Sequence, residues 1–373
     1  MLDSHENISD LNFTPGKPPQ VVCAGELLPV LQSMGVLTPF QTEIIALSLL
    51  GGNAKQIQTL LENGACDLSY ALGVRARFRV NIFSSGGQYS VVLRQLSVQV
   101  PTIKGMGLPS IFFNIAGEKN GLVFFTGATG VGKTTSLAAI LDEINQRRSI
   151  HVVTLEDPIE YCHPQKMATF NQRELGTDFN SFANGFKSAL RQGPRVIMVG
   201  EMRDRETVEI GLSAAETGHL VLASLHTTDA GQTIHRILGM FDSHEERLVR
   251  LRLAESLRWV VSQRLLPGKR GGRVAAFEIL SSNLRTRAAI VRGESRGKTF
   301  RDIIEAGQGM VGFDSSILDL YGKDLITEAT ALAYASQKDV VGRGIDQIKA
   351  KRGETTSSIH DLEVDRGYGE EGQ

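Results

Sequence analysis

LVFFTGATGVGKTT, residues 122–135, decides the fold of this 373-residue chain. The apolar run at its start indicates a β-strand, which leads directly into the pattern G-x-x-x-x-G-K-[ST] and then into an amphipathic helical pattern. This order of strand, loop and helix is the context that a phosphate-binding loop requires. The stretch therefore predicts a nucleotide-binding loop made of Gly127, Ala128, Thr129, Gly130, Val131, Gly132, Lys133, Thr134 and Thr135.

Each part of this loop has a physical task. The glycines let successive backbone N–H groups converge on phosphate oxygens, and the helix N-terminus adds roughly half a positive charge. Lys133 would bridge the β- and γ-phosphates, and the Thr134 hydroxyl would bind Mg²⁺. The sequence therefore predicts that the protein binds ATP and Mg²⁺.

Short apolar strands alternate with helical patterns from Ile111 onward, which indicates an α/β domain with a mostly parallel sheet. The strand 151–155 ends in Glu156, Asp157 and, after two more residues, Glu160. Ligands of such sheets bind at the carboxyl ends of the strands. We expect Glu156 and Asp157 to serve a metal ion and Glu160 to serve catalysis, the alternative being that such acids cap helices or form salt bridges.

A second acid follows the next apolar strand, 196–199. A hydrophobic strand that ends in an acid beside a phosphate-binding loop commonly positions Mg²⁺ and water, and here Gly200 stands where an aspartate is usual. Glu201 is therefore the candidate for the metal, for the attacking water, or for both. A helix cap or a structural salt bridge is again the alternative.

Two histidines follow the strand HLVLASL. His226 comes directly after it, at the same sheet edge, and is a candidate sensor of the γ-phosphate. His235 lies nine residues later in a helical pattern and could equally be a packing or interface residue. A structural histidine is the alternative for both.

The first 98 residues contain an alternating strand pattern, VRARFRVNIF, followed by Gly86-Gly87 and a second strand pattern. If the turn is centred between the glycines, residues whose numbers sum to 173 face each other, which places Arg79 opposite Arg94. Like charges directly across a strand pair are destabilising. The pair therefore suggests a bound anion, the alternative being two solvated arginines that point apart.

Composition excludes several classes of protein. The 40 Lys and Arg residues balance 41 Asp and Glu residues, which argues against a strongly basic nucleic-acid binder and against an acidic disordered chain. Three widely spaced cysteines argue against a disulfide framework or a zinc knuckle. Acids near the start and the lack of a long apolar run predict a cytoplasmic protein.

Charge is distributed unevenly along the chain. Residues 236–301 are strongly basic and 302–373 acidic, which suggests either solvated helical faces or an inter-subunit surface.

The order of these motifs resembles the secretion-type ATPase family, and within it the PilT-like ATPases of type IV pilus retraction and twitching motility. The resemblance covers roughly residues 8–330 and rests on the segments GATGVGKTT, TLEDPIEY, NQRELG, VGEMRDRETV, AAETGHLVLASLHTTD and SQRLL. By this resemblance Arg79 and Arg94 would reach the nucleotide phosphates. The chain departs from the family pattern at Gly193 and Arg195, where aspartates are usual, and it lacks the tetracysteine module of pilus-extension ATPases.

The resemblance implies an α/β fold in which a smaller PAS-like mixed α/β domain, residues 1–98, precedes a RecA-like P-loop ATPase domain, residues 111–330. Residues 99–110 would link them, and residues 331–373 would form a helical tail whose polar end, from residue 353, is disordered. It also implies a homohexamer that pulls on an inner-membrane pilus platform protein from the cytoplasmic face of the membrane. The hexamer would associate with the membrane through that partner only, and it would bind no nucleic acid.

Three other functions compete with this one. The chain could be the ATPase of a related type IV or type II secretion or conjugation system. It could be a RecA-like nucleic-acid motor, although few aromatic residues accompany its basic segments. It could also be a nucleotide-gated interaction protein without activity, but such a protein would not need the acids.

Overall fold

The computed structural model describes residues 1–30, 35–73, 75–96, 99–295 and 297–354. Val74, the first residue of the predicted alternating strand, lies outside the described residues, as does most of the segment predicted to be disordered, from residue 355 on. Among the described residues, no helix is both long enough and apolar enough to cross a bilayer.

The amino-terminal part of the chain forms an antiparallel sheet of six strands with two helices. Its elements are β1 (Ile8–Phe13), β2 (Gln20–Cys23), β3 (Glu26–Pro29), α1 (Pro39–Leu50), α2 (Ala54–Asn63), β4 (Ala65–Leu72), β5 (Ala76–Ser85) and β6 (Gln88–Leu96). The strand order is β3-β2-β1-β6-β5-β4. We call this unit the first sheet.

The predicted hairpin is present in the predicted register. Phe78, Val80 and Ile82 are buried in the core of the first sheet, as the alternation required. Gly86 and Gly87 both have positive φ, which a two-residue hairpin turn needs at both positions. Arg79 lies directly opposite Arg94.

The second sheet has seven strands, and helices cover both of its faces. Its elements begin with α3 (Ile111–Gly117), β7 (Gly121–Thr126), α4 (Lys133–Arg147), β8 (His151–Glu156), β9 (Thr169–Glu174), α5 (Phe182–Leu190), β10 (Val196–Val199), α6 (Arg205–Glu216), β11 (Leu220–Leu225) and α7 (Ala230–Leu238). They continue with α8 (Glu246–Ser256), β12 (Leu257–Pro267), β13 (Arg273–Ser281), α9 (Leu284–Arg292) and α10 (Phe300–Glu305).

The strand order of this sheet is β13-β12-β7-β11-β10-β8-β9, and among the strands that the structure describes here only β12 and β13 pair in antiparallel fashion. Leu122 and Phe124 of the central strand β7 pack into the core on one face, while Val123 and Phe125 pack into the core on the other. A strand buried on both faces explains the unbroken apolar run in the sequence. Because β7, β8, β10 and β11 are parallel, their carboxyl ends meet at one sheet edge.

Three helices complete the described chain: α11 (Phe313–Gly322), α12 (Glu328–Tyr334) and α13 (Lys338–Arg352). They pack with Leu266 and Ala276 of the β12–β13 pair in a separate small core. Helices were predicted for this carboxyl-terminal region. The predicted domain boundaries at 98, 110 and 330 stay predictions.

Candidate functional site

The loop between β7 and α4 is shaped for an anion. Helix α4 begins at Lys133, directly after Gly132, whose φ of 89° suits glycine. The buried Lys133 ammonium donates hydrogen bonds to the Gly127 oxygen at 2.8 Å and to the Ala128 oxygen at 2.9 Å. Burial lowers the pKa of Lys133, while the charges of Glu201 and Glu160 act in the opposite direction. The loop oxygens thus hold the Lys133 ammonium in place, where the charges of two candidate catalytic acids act on it.

Gln263 of β12 ties this loop to the sheet. Its amide nitrogen donates to the Val131 oxygen at 2.7 Å, and its amide oxygen accepts from the Ser136 hydroxyl at 2.9 Å. A Cβ added at Gly127 would lie 2.5 Å from the Gln263 backbone oxygen, so only glycine fits there. From the sequence, Gln263 has no predicted role of its own, although the residue lies in the segment SQRLL that carries part of the family resemblance.

The acids after β8 have different surroundings. Glu160 is half-buried beside Thr134, which donates a hydrogen bond to its carboxylate. Burial raises the pKa of Glu160, whereas the Thr134 hydrogen bond and the charges of Arg79 and Lys133 lower it. The structure therefore brings Glu160 to the predicted Mg²⁺ ligand Thr134, a placement that strand ends alone could not specify.

Glu156 is buried beneath this edge. Its Oε1 accepts hydrogen bonds from the Thr154 hydroxyl at 2.6 Å and from the Gln172 amide at 3.0 Å. Burial raises the pKa of Glu156 to about 7, against which the two hydrogen bonds act. Both donors bind Oε1 of a buried carboxyl, so Glu156 is held in place by its own sheet, and its predicted role as a metal ligand stays a prediction.

The raised pKa of Glu156 predicts a pH dependence of stability. The folded state binds this proton more tightly than the unfolded state, so the stabilisation is complete below pH 4.5 and is lost as the pH rises through 7. Between pH 5 and pH 8.5, the unfolding free energy of the native chain should fall by up to about 3 kcal/mol relative to that of Glu156→Gln. Denaturant unfolding of both proteins at the two pH values measures this, and parallel pH profiles would contradict it.

Glu201 and His226 form the third part of the site. The Oε1 atom of Glu201 lies 3.1 Å from His226 Nε2 and also contacts the Arg203 guanidinium. The adjacent strand ends are tied together, because the Ser224 hydroxyl donates to the Gly200 oxygen at 2.5 Å. The two residues predicted from separate motifs therefore lie side by side, while their catalytic roles stay predictions.

The first sheet contacts this edge with the polar face of β4 and β5. Arg79 acts electrostatically on both Asp157 and Glu160, lowering the pKa of each against the larger effect of burial. Arg94 is more exposed, and its Nε lies 2.9 Å from Asp10. Of the two predicted arginines, the structure places Arg79 beside the acids and gives Arg94 a structural partner.

The two facing arginines also have acidic neighbours. Each has a carboxylate of the first sheet nearby: Asp67 lies 3.9 Å from Arg79, and Asp10 lies 2.9 Å from Arg94. Each guanidinium therefore has a carboxylate beside it as well as the facing arginine, which reduces the repulsion between the two.

Two other sequence features lie away from the site. His235 faces Glu294 at 3.2 Å and packs edge-on to Phe300, so the packing alternative applies to it. Arg195 precedes β10, at the opposite end of that strand from Glu201, where its backbone N–H donates to the His151 oxygen. The departure from the family pattern at Arg195 therefore does not alter the ligands at the carboxyl edge.

These residues fit a magnesium nucleotide. The loop offers backbone N–H groups, a helix N-terminus and a buried ammonium for phosphates, while the Thr134 hydroxyl and the Glu160 carboxylate supply the oxygen ligands that Mg²⁺ prefers. The charges of Glu160 and Glu201 act on Lys133, and these two acids in turn have Arg79 and His226 as neighbours. The arrangement can neutralise a triphosphate and orient a water molecule for phosphoryl transfer.

Comparison with known proteins decides the family. The profile described as "Type II/IV secretion system protein" matches residues 62–306. The chain belongs to this family. It is 37% identical to the Pseudomonas aeruginosa "Type IV pilus retractation ATPase PilT" over 88% of this chain and 95% of the relative. It is 42% identical to the Neisseria gonorrhoeae "Twitching motility protein" over 77% of each chain.

A solved structure of the family agrees. The crystal structure of the pilus retraction motor PilT with bound ADP superposes with a TM-score of 0.81 at 40% identity, covering 90% of this chain and 95% of that chain. The predicted resemblance to PilT-like secretion ATPases, the α/β fold with its amino-terminal and RecA-like domains, and the ATPase activity are thereby confirmed.

Proposed function

We propose that this chain is a motor ATPase that hydrolyses ATP to drive the retraction of a type IV pilus. The observation that carries the proposal is the convergence of Lys133, Glu160 and Glu201 at one edge of a parallel sheet, beside a phosphate-binding loop. The pilus assignment is supported by the PilT relatives and by the superposition on a retraction motor.

Binding of the nucleotide uses charges that the fold already holds in place. The Lys133 ammonium would exchange its two carbonyl acceptors for the β- and γ-phosphate oxygens. Mg²⁺, when bound, would neutralise the charge that develops on these phosphates. Thr134 and Glu160 would hold the ion, because the hydrogen bond between them places the hydroxyl and the carboxylate side by side.

Hydrolysis needs a positioned water molecule. Both contacts of Glu201 use Oε1, so Oε2 is the oxygen that would orient the water and accept its proton. His226 and Arg203 would fix the carboxylate in this orientation. Arg79 would add positive charge to the phosphoryl group in the transition state, which is the usual task of an arginine in such sites.

The proposal predicts a loss of nucleotide affinity in Lys133→Ala. A charge-assisted hydrogen bond contributes about 1.5–3 kcal/mol, so ATP binding should weaken by roughly ten- to a hundredfold. Titration with a fluorescent ATP analogue measures the affinity, and the release of phosphate by the unsubstituted protein establishes the activity. Unchanged affinity in a folded Lys133→Ala protein would contradict the assignment of the loop.

Mechanical work requires assembly, and we propose a homohexamer that acts on an inner-membrane pilus platform protein at the cytoplasmic face of the membrane. The opposite net charges of residues 236–301 and 302–373 support contacts between subunits. Light scattering after gel filtration in low salt and saturating ATP should give six times the mass of one chain. A strict monomer under these conditions would rule out the ring.

A further inference from the structure

Glu174, the last residue of β9, joins two segments that flank the site. A single carboxylate oxygen, Oε2, accepts a hydrogen bond from the Ser69 hydroxyl at 2.6 Å and another from the Ile159 N–H at 3.1 Å. Ser69 belongs to the first sheet, and Ile159 lies in the loop between Asp157 and Glu160. The same oxygen therefore fixes the first sheet and the loop that carries Glu160 relative to each other.

The position of Glu174 is itself well determined. The residue pairs with Glu156 in the parallel β8–β9 ladder. Its backbone N–H donates to the Asp178 carboxylate at 2.8 Å, and the next N–H, of Leu175, donates to the Glu156 oxygen at 2.8 Å. Because the backbone of Glu174 is fixed in this way, its carboxylate can hold the two groups that donate hydrogen bonds to it in defined positions.

Ser69 stands directly across the β4–β5 ladder from Arg79. Side chains opposite each other in an antiparallel pair lie about 5 Å apart, so fixing Ser69 fixes the backbone from which Arg79 extends. Among the described residues, the ion pair of Arg79 is the half-exposed one with Asp67, at 3.9 Å. The Ser69–Glu174 hydrogen bond is thus the stronger restraint on where the Arg79 guanidinium lies.

The charge of Glu174 argues against a contact that merely holds the two sheets together. Glu174 is 6% exposed, and within the described ranges no cation lies at ion-pair distance from it. Its neighbours include the acids Glu156 and Asp157, on both of which its charge acts. Burying an uncompensated carboxylate costs free energy that a neutral contact would avoid. The two hydrogen bonds that Oε2 accepts, one from the first sheet and one from the loop, offset part of that cost.

We propose that Glu174 is a positioning residue, whose hydrogen bond to Ser69 holds the β4–β5 pair so that Arg79 meets the phosphates beside Glu160. This inference rests on the proposed ATPase mechanism and adds to it a restraint between the two sheets. Loss of the restraint lets the guanidinium spread over several positions, which lowers the turnover number while the phosphate-binding loop keeps its affinity for ATP.

A double-mutant cycle tests the proposal. A hydrogen bond to a carboxylate contributes about 1.5 kcal/mol or more, so Ser69→Ala should lower kcat about tenfold and leave KM within about twofold. In an Arg79→Ala background, the same change should lower kcat by less than about twofold, because no guanidinium remains to be positioned. Ser69→Thr, which keeps the hydroxyl, should restore most of the activity.

The control is Ser85→Ala, an exposed serine at the end of β5 that lies far along the strand from Arg79. It should leave kcat unchanged. A tenfold loss from Ser69→Ala in both backgrounds would show a merely structural contact and would overturn the inference. No ATP hydrolysis by the unsubstituted protein would instead reject the proposed function, and this inference with it.

Discussion

Glu201→Gln should lower the ATP turnover of the assembled protein by about a thousandfold, while nucleotide affinity stays within about threefold of the native value. Glutamine keeps the shape of the side chain and an oxygen that can face His226, but it cannot accept a proton from water. The substitution leaves Lys133 and the loop N–H groups unchanged, and these groups bind ATP before the chemical step. Phosphate release under saturating ATP and titration of the same samples separate the two quantities.

Glu209→Gln is the matched control, since this acid lies exposed in α6, outside the carboxyl edge. It should hydrolyse ATP at the native rate. If Glu201→Gln did the same in assembled protein, the orientation of water would pass to Glu160, and the contact between Glu201 and His226 would be structural.

Arg79→Ala should lower turnover by at least about a hundredfold, because an arginine that stabilises the transferring phosphoryl group contributes a thousandfold or more in related hydrolases. Arg94→Ala is the natural comparison. Its guanidinium pairs with Asp10 and is not among the charges that act on Asp157 or Glu160, so turnover should fall less than about tenfold. Equal losses in the two variants would contradict the assignment of Arg79 alone.

Assemblies mixed from two variants test whether Arg79 acts on the nucleotide of its own subunit or on that of a neighbouring subunit. The guanidinium acts on Glu160 of its own chain, so we expect it to reach the nucleotide bound by the same chain. Mixing Arg79→Ala chains with Lys133→Ala chains should therefore restore no activity, since every intact loop would lack its arginine. Recovery of turnover on mixing would show that the arginine acts on a neighbouring subunit.

Much of this site could be predicted because short motifs encode local geometry. The glycine pattern before Lys133 dictates the loop, and the alternation around Phe78 with the Gly86-Gly87 turn dictates the hairpin register. Parallel strands then bring Glu201 and His226 to one edge without further information. In each case the deciding residues are adjacent in sequence or are fixed by one rule of sheet geometry.

What could not be predicted depends on contacts between distant segments. Gln263 lies more than 120 residues from the loop that it holds, and Glu174 lies 105 residues from Ser69. The environment of Glu156 follows from burial and from Gln172, which a strand pattern does not reveal. The sequence names these polar residues but not their partners, because the partners are set by which strands become neighbours in the second sheet and, for Ser69 and Glu174, by the packing of the two sheets.

The first sheet meets the nucleotide site at one edge, so the rest of the sheet extends away from the contact. Contact is made by β4 and β5, whereas β3 lies at the far edge of the same six-stranded sheet. Five strand spacings amount to roughly 24 Å, so a tilt of about 10° at the contact displaces the far edge by about 4 Å. If the sheet rotated as a rigid body about the contact at Ser69, a small change beside Arg79 would therefore be accompanied by a larger displacement of β3.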